Sequence, residues 1–204
     1  MFARTPRLLL RPGWAEDAAA LTAAIADEAI LRNLARAPWP YTEADARTFL
    51  NGWADAPLPR FMMVQRTAAE PRLIGGIGIE PGADGAVELG YWVARPYWGL
   101  GYATEAGRHM VELARTLGIT KMNANPCIDN PASGAVLRKL GFQPTGRVTP
   151  RASIGRGAAV LAVEYVRWVD APGNDADCGN GNAPGGGVVR WPTALPDSGR
   201  QATA

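Results

Sequence analysis

The stretch Leu89 to Ala106, LGYWVARPYWGLGYATEA, restricts the fold of this chain more than any other part of it. A β-type run, Val87 to Val93, breaks at Pro96, passes through Gly99 and Gly101 and restarts as a helix near Ala103. That order aims the first free N–H groups of the helix back into the turn. Helix N-termini carry unpaired donors and partial positive charge, which suits them to anions such as phosphate. Small residues at Gly99, Gly101 and Ala103 admit a close approach of the backbone to a ligand, and glycine permits the positive φ that lets successive N–H groups converge. Two readings fit the spacing equally: a phosphate cradle, and an ordinary strand-to-helix turn that uses glycine for its geometry.

With 204 residues, 47% of them apolar, the chain is long enough for one well-buried α/β domain and short for two. The formal net charge is +2, the arginines are scattered, and the lysines are Lys121 and Lys139 alone, a pattern that argues against a nucleic-acid surface. Cys127 and Cys178 lie far apart without CxxC or histidine-rich context, so neither a zinc site nor a disulfide framework is expected. The single histidine, His109, falls inside the helix after the glycines and reads as a surface or flanking residue. The N-terminus does not resemble a signal peptide, and no apolar run reaches the roughly twenty residues that span a bilayer. The expectation is a cytoplasmic protein with no metal and no membrane or nucleic-acid partner.

In chain order, Arg7 to Arg11 reads as a strand closed by Pro12-Gly13, and Trp14 to Ala29 as a helix, with a shorter helical piece from Ile30 to Ala35. Pro38 to Tyr41 reads as a loop. Thr42 with Asp45 forms the pattern of a capping box and opens a helix through Trp53, which Pro57 and Pro59 stop. Phe61 to Gln65, Leu73 to Ile79 and Val87 to Val93 form an antiparallel meander, with Val87, Leu89, Tyr91 and Val93 on one face of the last strand and Glu88, Gly90 and Trp92 on the other. The helix from Ala103 to Leu117 presents Ala106, Met110, Leu113, Ala114 and Leu117 as its apolar stripe. Ile119 to Asn125 reads as a strand parallel to the one before that helix. Asn130-Pro131 opens a helix that Gly141 ends, and Phe142 to Val148 with Ala158 to Trp168 close the sheet. From position 170 the apolar pattern gives way to Gly, Pro, Asn and Asp, so 1–169 is read as the domain and 170–204 as a disordered tail.

Four stretches carry a family likeness: TPRLLLRP, PWPYTEADA, ELGYWVARPYWGLGYATEA and IDNPASGAVLRKLGF, in order between Thr5 and about Trp168. In them the chain resembles the GNAT acetyl-coenzyme A-dependent N-acetyltransferases, in particular the branch containing the ribosomal-protein N-terminal acetyltransferases, the RimJ/RimL-like enzymes. The resemblance implies a single α/β domain with a mixed, mostly antiparallel twisted sheet, a splayed parallel central pair and flanking helices. It implies acetyl-coenzyme A as cosubstrate, its diphosphate held by the N–H groups of Gly99, Leu100, Gly101, Tyr102, Ala103 and Thr104, and its pantetheine arm beside Val93, Ala94 and Arg95. Trp98 stands where the family pattern has Gln or Arg. By resemblance Asn130 contacts the coenzyme arm, although its place before Pro131 also explains it as an N-cap, and the two roles are compatible.

The chemistry so implied is attack of a neutral amine on a thioester. An α-amino group, with a reference pKa of about 7.7 to 8.0, needs less help from a base than a lysine amine at about 10.4. Glu88 is the candidate base, directly or through water; the other reading is a strand carboxylate with an ion-pair partner. Ser133 is the candidate proton donor to the departing thiolate, because Leu137 occupies the position where many family members carry a tyrosine. A backbone N–H near Val93 or Ala94 meets the oxyanion in the family geometry. Trp39, Tyr41 and Trp92 serve either an acceptor cleft or the core. The acceptor is a small-molecule amine or a protein N-terminus, the molecule a monomer or homodimer. A coenzyme-binding module without turnover would carry the same glycine loop.

Overall fold

The computed structural model describes residues 1–53, 56–66, 70–82 and 85–169. The strand at Arg60–Gln65 shows how the layers arise, because Phe61, Met62, Met63 and Val64 are all buried. Side chains on a strand alternate between faces, so four consecutive buried positions must be covered on both sides. Phe61 and Met63 enter one core and Met62 and Val64 the other.

Eight strands form the sheet among the described residues: β1 (Ala3–Arg4), β2 (Leu8–Arg11), β3 (Arg60–Gln65), β4 (Arg72–Pro81), β5 (Val87–Val93), β6 (Lys121–Ala124), β7 (Gln143–Ser153) and β8 (Ala158–Trp168). Their spatial order is β1-β2-β3-β4-β5-β6-β8-β7. Every neighbouring pair is antiparallel except β5 and β6, which run parallel because a helix crosses between them. Helices α4 (Tyr102–Thr116) and α5 (Pro131–Lys139) pack on one face, burying Ala106, Met110, Ala114 and Leu137 with Val87, Leu89 and Val93 of β5. Helices α1 (Ala18–Ile25), α2 (Glu28–Leu31) and α3 (Glu43–Asn51) cover the other, with Leu21, Ile25, Leu31 and Leu50 against Met62 and Val64. This is the α/β architecture expected from the sequence, with the parallel pair at its centre.

The differences are local. The helix expected over Trp14 to Ala29 is a 3-10 turn at Ala15–Asp17 followed by α1, and Ala26 leaves helical geometry at φ −71°, ψ 59°. Asp27 then restarts the chain by accepting the N–H of Ala29 at 2.8 Å, which moves the short second helix to Glu28–Leu31 from the expected Ile30 to Ala35. Leu117, expected in the buried stripe of α4, is 47% exposed, because it is the C-cap residue and the helical period has ended before it. The tail expected over 170–204 lies outside the described residues.

Candidate active site

β5 and β6 are neighbours for two residue pairs only, Val87 opposite Met122 and Glu88 opposite Asn123. Beyond them β5 continues to Val93, while β6 ends at Ala124 and pairs with β8 on its other side. The middle of the sheet therefore opens into a wedge. Ala94 donates its N–H to the Ile74 carbonyl of β4 at 2.8 Å, and successive strand amides point to opposite edges, so the N–H and C=O of Val93 face the wedge. Of the two amides expected near the oxyanion, that of Ala94 is already engaged and that of Val93 is the one turned toward the opening.

At the mouth of the wedge the chain makes a 3-10 turn at Arg95–Tyr97 and enters the glycine loop. Trp98 donates its indole N–H to the Val93 carbonyl at 2.6 Å and so fastens the loop to the end of β5. Gly99 and Gly101 have φ of 74° and 82°, the left-handed region that costs other residues about 1–2 kcal/mol. A Cβ at Gly99 would meet nothing within 4 Å, so there the requirement for glycine is conformational. Gly101 is the N-cap of α4 and has no side chain to offer, and the first intrahelical bond is Glu105 N–H to Gly101 O at 3.0 Å. The N–H groups of Tyr102, Ala103 and Thr104 precede that bond and have no partner within the helix.

The bend that joins β1 to β2 holds this loop from behind. Arg7 donates to the Leu100 carbonyl at 2.9 Å and to Glu105 at 2.7 Å, and its guanidinium lies 4.3 Å from the Tyr102 ring centroid. Because a trans peptide directs its C=O and N–H oppositely, the Arg7 contact turns the Gly101 N–H away from Arg7. Tyr102 is buried in the core and accepts a hydrogen bond from Gln65 at 2.7 Å. Thr5 donates to Glu105 at 2.5 Å and Arg7 N–H donates to it at 2.8 Å. Burial pushes the Glu105 carboxyl up, but these hydrogen bonds and the Arg7 charge outweigh it and hold the group below its usual range.

α5 begins on the far side of the wedge. The Asn130 side chain accepts the Ser133 N–H at 3.2 Å, so Asn130 is an N-cap, as its sequence context indicates. The Ser133 hydroxyl lies 2.7 Å from the Tyr91 hydroxyl of β5. Burial pushes the Tyr91 phenol up to about 12, against the opposing pull of its hydrogen bond to Ser133.

On the opposite face of β5, Glu88 stands across from Glu80 of β4. Each carboxylate has its own arginine: Arg151 of β7 donates to both oxygens of Glu88, and Arg36 donates to Glu80. The side chains of Glu88 and Arg151 are 33% and 40% exposed, so water screens the pair and its worth is at most about 1 kcal/mol. Of the aromatics considered for an acceptor cleft, Tyr41 and Trp92 belong to the second core, while Trp39 is exposed.

Sequence reasoning singled out the loop, Asn130, Ser133 and Glu88, and missed Tyr91, Arg7 and Arg151. Tyr91 and Ser133 are 42 residues apart, and Arg151 and Glu88 are 63 apart. No local pattern marks such partners. Among the described residues no group of three or more His, Cys, Asp or Glu is placed to hold a metal ion, and no helix is long and apolar enough to cross a membrane.

The fold has counterparts among known proteins. The N-acetyltransferase YoaA of Bacillus subtilis, itself uncharacterized, is 29% identical over 148 residues, which cover 70% of this chain and 82% of the relative. An acetyltransferase of the GNAT family from Bacillus anthracis superposes with a TM-score of 0.70 at 22% identity, covering 82% of this chain and 98% of that one. RimL, a ribosomal L7/L12 α-N-protein acetyltransferase solved with coenzyme A, superposes with a TM-score of 0.66 at 21% identity, covering 84% of this chain and 99% of that one. The family description Acetyltransferase (GNAT) domain matches residues 7–143, the span that runs from Arg7 through the wedge, the glycine loop and α5 to the first residue of β7, and the chain therefore belongs to the GNAT family of acetyltransferases.

Proposed function

We propose that this protein moves an acetyl group from acetyl-coenzyme A directly to a primary amine, with a protein N-terminus as the first acceptor class to test and small amines as the second. The observation that carries the reading is the uncapped start of α4, where glycines at positive φ lead into three N–H groups without a helical partner, beside a stretch of β5 that β6 leaves unpaired beyond Glu88. A diphosphate on the amides of Gly99 to Thr104 and a pantetheine arm along Val93 to Arg95 answer both features. The likeness to RimL supports the choice of N-terminal amines, and an α-amine is already partly neutral at pH 7.

In this reaction the amine nitrogen forms a bond to the thioester carbonyl carbon, the C–S bond breaks, and its electron pair leaves on sulfur. The Val93 N–H supports the oxyanion that forms in between. The proton lost by the amine passes to Glu88 or to water, and the Ser133 hydroxyl gives the sulfur a proton and regains one from solvent. Holding donor and acceptor in line contributes on the order of 7–11 kcal/mol for well-positioned reactants. For Glu88 to accept a proton, the acceptor ammonium or water must first displace Arg151, which a screened ion pair permits.

The test is release of free thiol from acetyl-coenzyme A in the presence of peptides beginning Ser, Ala or Thr, aminoglycosides and polyamines, with products read by mass. Acetylated peptide supports the full reading, and an acetylated small amine with unmodified peptides moves the acceptor class. Coenzyme binding without labelling of any amine overturns transfer. Glu88→Gln should lower the rate chiefly at low pH, and a variant equal to the wild type at every pH removes Glu88 as the base.

A further inference from the structure

We infer that Tyr91 is a positioning residue for thioester cleavage: its hydroxyl donates to Ser133 Oγ and so leaves the Ser133 proton free to point at the departing sulfur. This rests on the acetyl-transfer reading and extends it to a residue that the family likeness did not indicate. Tyr91 stands on β5 beyond the last residue paired with β6, on the face that packs toward α4 and α5. From there its hydroxyl reaches Ser133 in the first turn of α5, two elements on opposite sides of the wedge meeting through two hydroxyls.

Tyr91 has one O–H proton and two acceptors within reach, Ser133 Oγ at 2.7 Å and the Ser133 carbonyl at 3.1 Å. The first is the ordinary length of an O–H···O bond and the second is beyond it. With the phenol as donor, Ser133 Oγ accepts from Tyr91 and its own hydrogen is directed elsewhere. With the roles reversed, the serine proton would be spent on the phenol and unavailable to sulfur. The elevated phenol pKa keeps Tyr91 protonated throughout the working range, so that it carries a proton to donate. Tyr91 transfers no proton itself; the proton that reaches sulfur is Ser133's, replaced from solvent.

A second phenol supports the same turn. Gly134, next to Ser133, is buried, and a Cβ there would come within 2.8 Å of the Tyr165 hydroxyl, which accepts a hydrogen bond from Arg138 at 3.1 Å. The absent side chain lets Tyr165 press against the turn that carries Ser133, so the serine is fixed from two directions.

The experiment is a double-mutant cycle on the full chain, with kcat and KM measured by thiol release from acetyl-coenzyme A and coenzyme binding measured by calorimetry on each variant. Ser133→Ala should lose about 100-fold in kcat, within the usual range for a general acid. Tyr91→Phe should lose about tenfold in kcat with both KM values within about twofold of the wild type, since the ring remains and the hydroxyl is lost. The double variant should be no slower than Ser133→Ala, because Tyr91 acts through that hydroxyl alone. A Tyr91→Phe enzyme as fast as the wild type overturns the inference. So does a further tenfold fall of the double variant below Ser133→Ala, or loss of coenzyme binding by Tyr91→Phe, either of which assigns Tyr91 to the fold instead. A wild-type protein that acetylates no amine overturns the functional reading and this inference together, whereas an active wild type with an unaffected Tyr91→Phe overturns the inference alone.

Discussion

At the start of α3 the helix closes on itself: Thr42 Oγ1 accepts the Asp45 N–H at 3.3 Å, and Asp45 accepts the Thr42 N–H at 2.8 Å. At the start of α4 the N-cap is a glycine at φ 82°, and no side chain answers the first N–H groups. Both helices face the same problem of orphan donors, and they meet it differently. α3 satisfies them internally, where they contribute to stability. α4 leaves them open to water or to a bound anion, and it is braced by Arg7 and Thr5 from the bend between β1 and β2 rather than capped. α5 lies between the two, capped by Asn130 yet carrying Ser133 and its tyrosine partner. An unsatisfied helix start next to a divided sheet is thus a better marker of function than the glycines taken alone.

The comparison breaks most sharply at Gly101. Gly101→Ala should cost about 1–2 kcal/mol of backbone strain, which the loop relieves by moving its amides, so affinity for acetyl-coenzyme A falls about 5- to 30-fold by calorimetry. Thr42→Ala is the mirror experiment: removing the α3 cap should cost about 1 kcal/mol, a fall of about 2–4 °C in melting temperature, with coenzyme affinity unchanged. Asn130→Asp sharpens the intermediate case. Aspartate caps as well as asparagine, so stability should hold, but it lacks the amide N–H donors, and coenzyme affinity should fall about fivefold if the side chain also contacts the arm. Unchanged affinity would make Asn130 a cap only.

The smallest effect concerns the brace. A carboxyl whose pKa is lowered on folding binds fewer protons in the folded state than in the unfolded state, so its contribution is present above the unfolded value and fades as pH falls through the folded one. For Glu105 the ordinary value is 4.5. The stability difference between wild type and Glu105→Gln, under about 1 kcal/mol because Arg7 is nearly half exposed, should be full at pH 7 and shrink below about pH 4.5 in urea titrations.

Much of this molecule was legible in the sequence. The alternation in Val87 to Val93, the capping pair Thr42 and Asp45 and the N-cap Asn130 are signals confined to a few residues, and each appears in the structure where its spacing put it. The helix boundaries that moved, at Ala26 and Leu117, are places where one cap residue decides against the periodic pattern, while β7 runs on to Ser153, beyond the expected Val148, because it pairs with β8 along that length.

What the sequence by itself determined is the run of strands and helices, the glycine turn with its free amides, and the family that shares them, because these depend on period, φ and neighbours in the chain. Only the tertiary structure decided which side chains meet: Tyr91 with Ser133, Glu88 with Arg151, Arg7 with Leu100 and Glu105. Those contacts join residues dozens of positions apart, and they exist because the sheet order and the helices packed on both faces bring distant segments together. A sequence pattern gives the donors a residue carries, but the geometry of the divided sheet selects the acceptor each one finds.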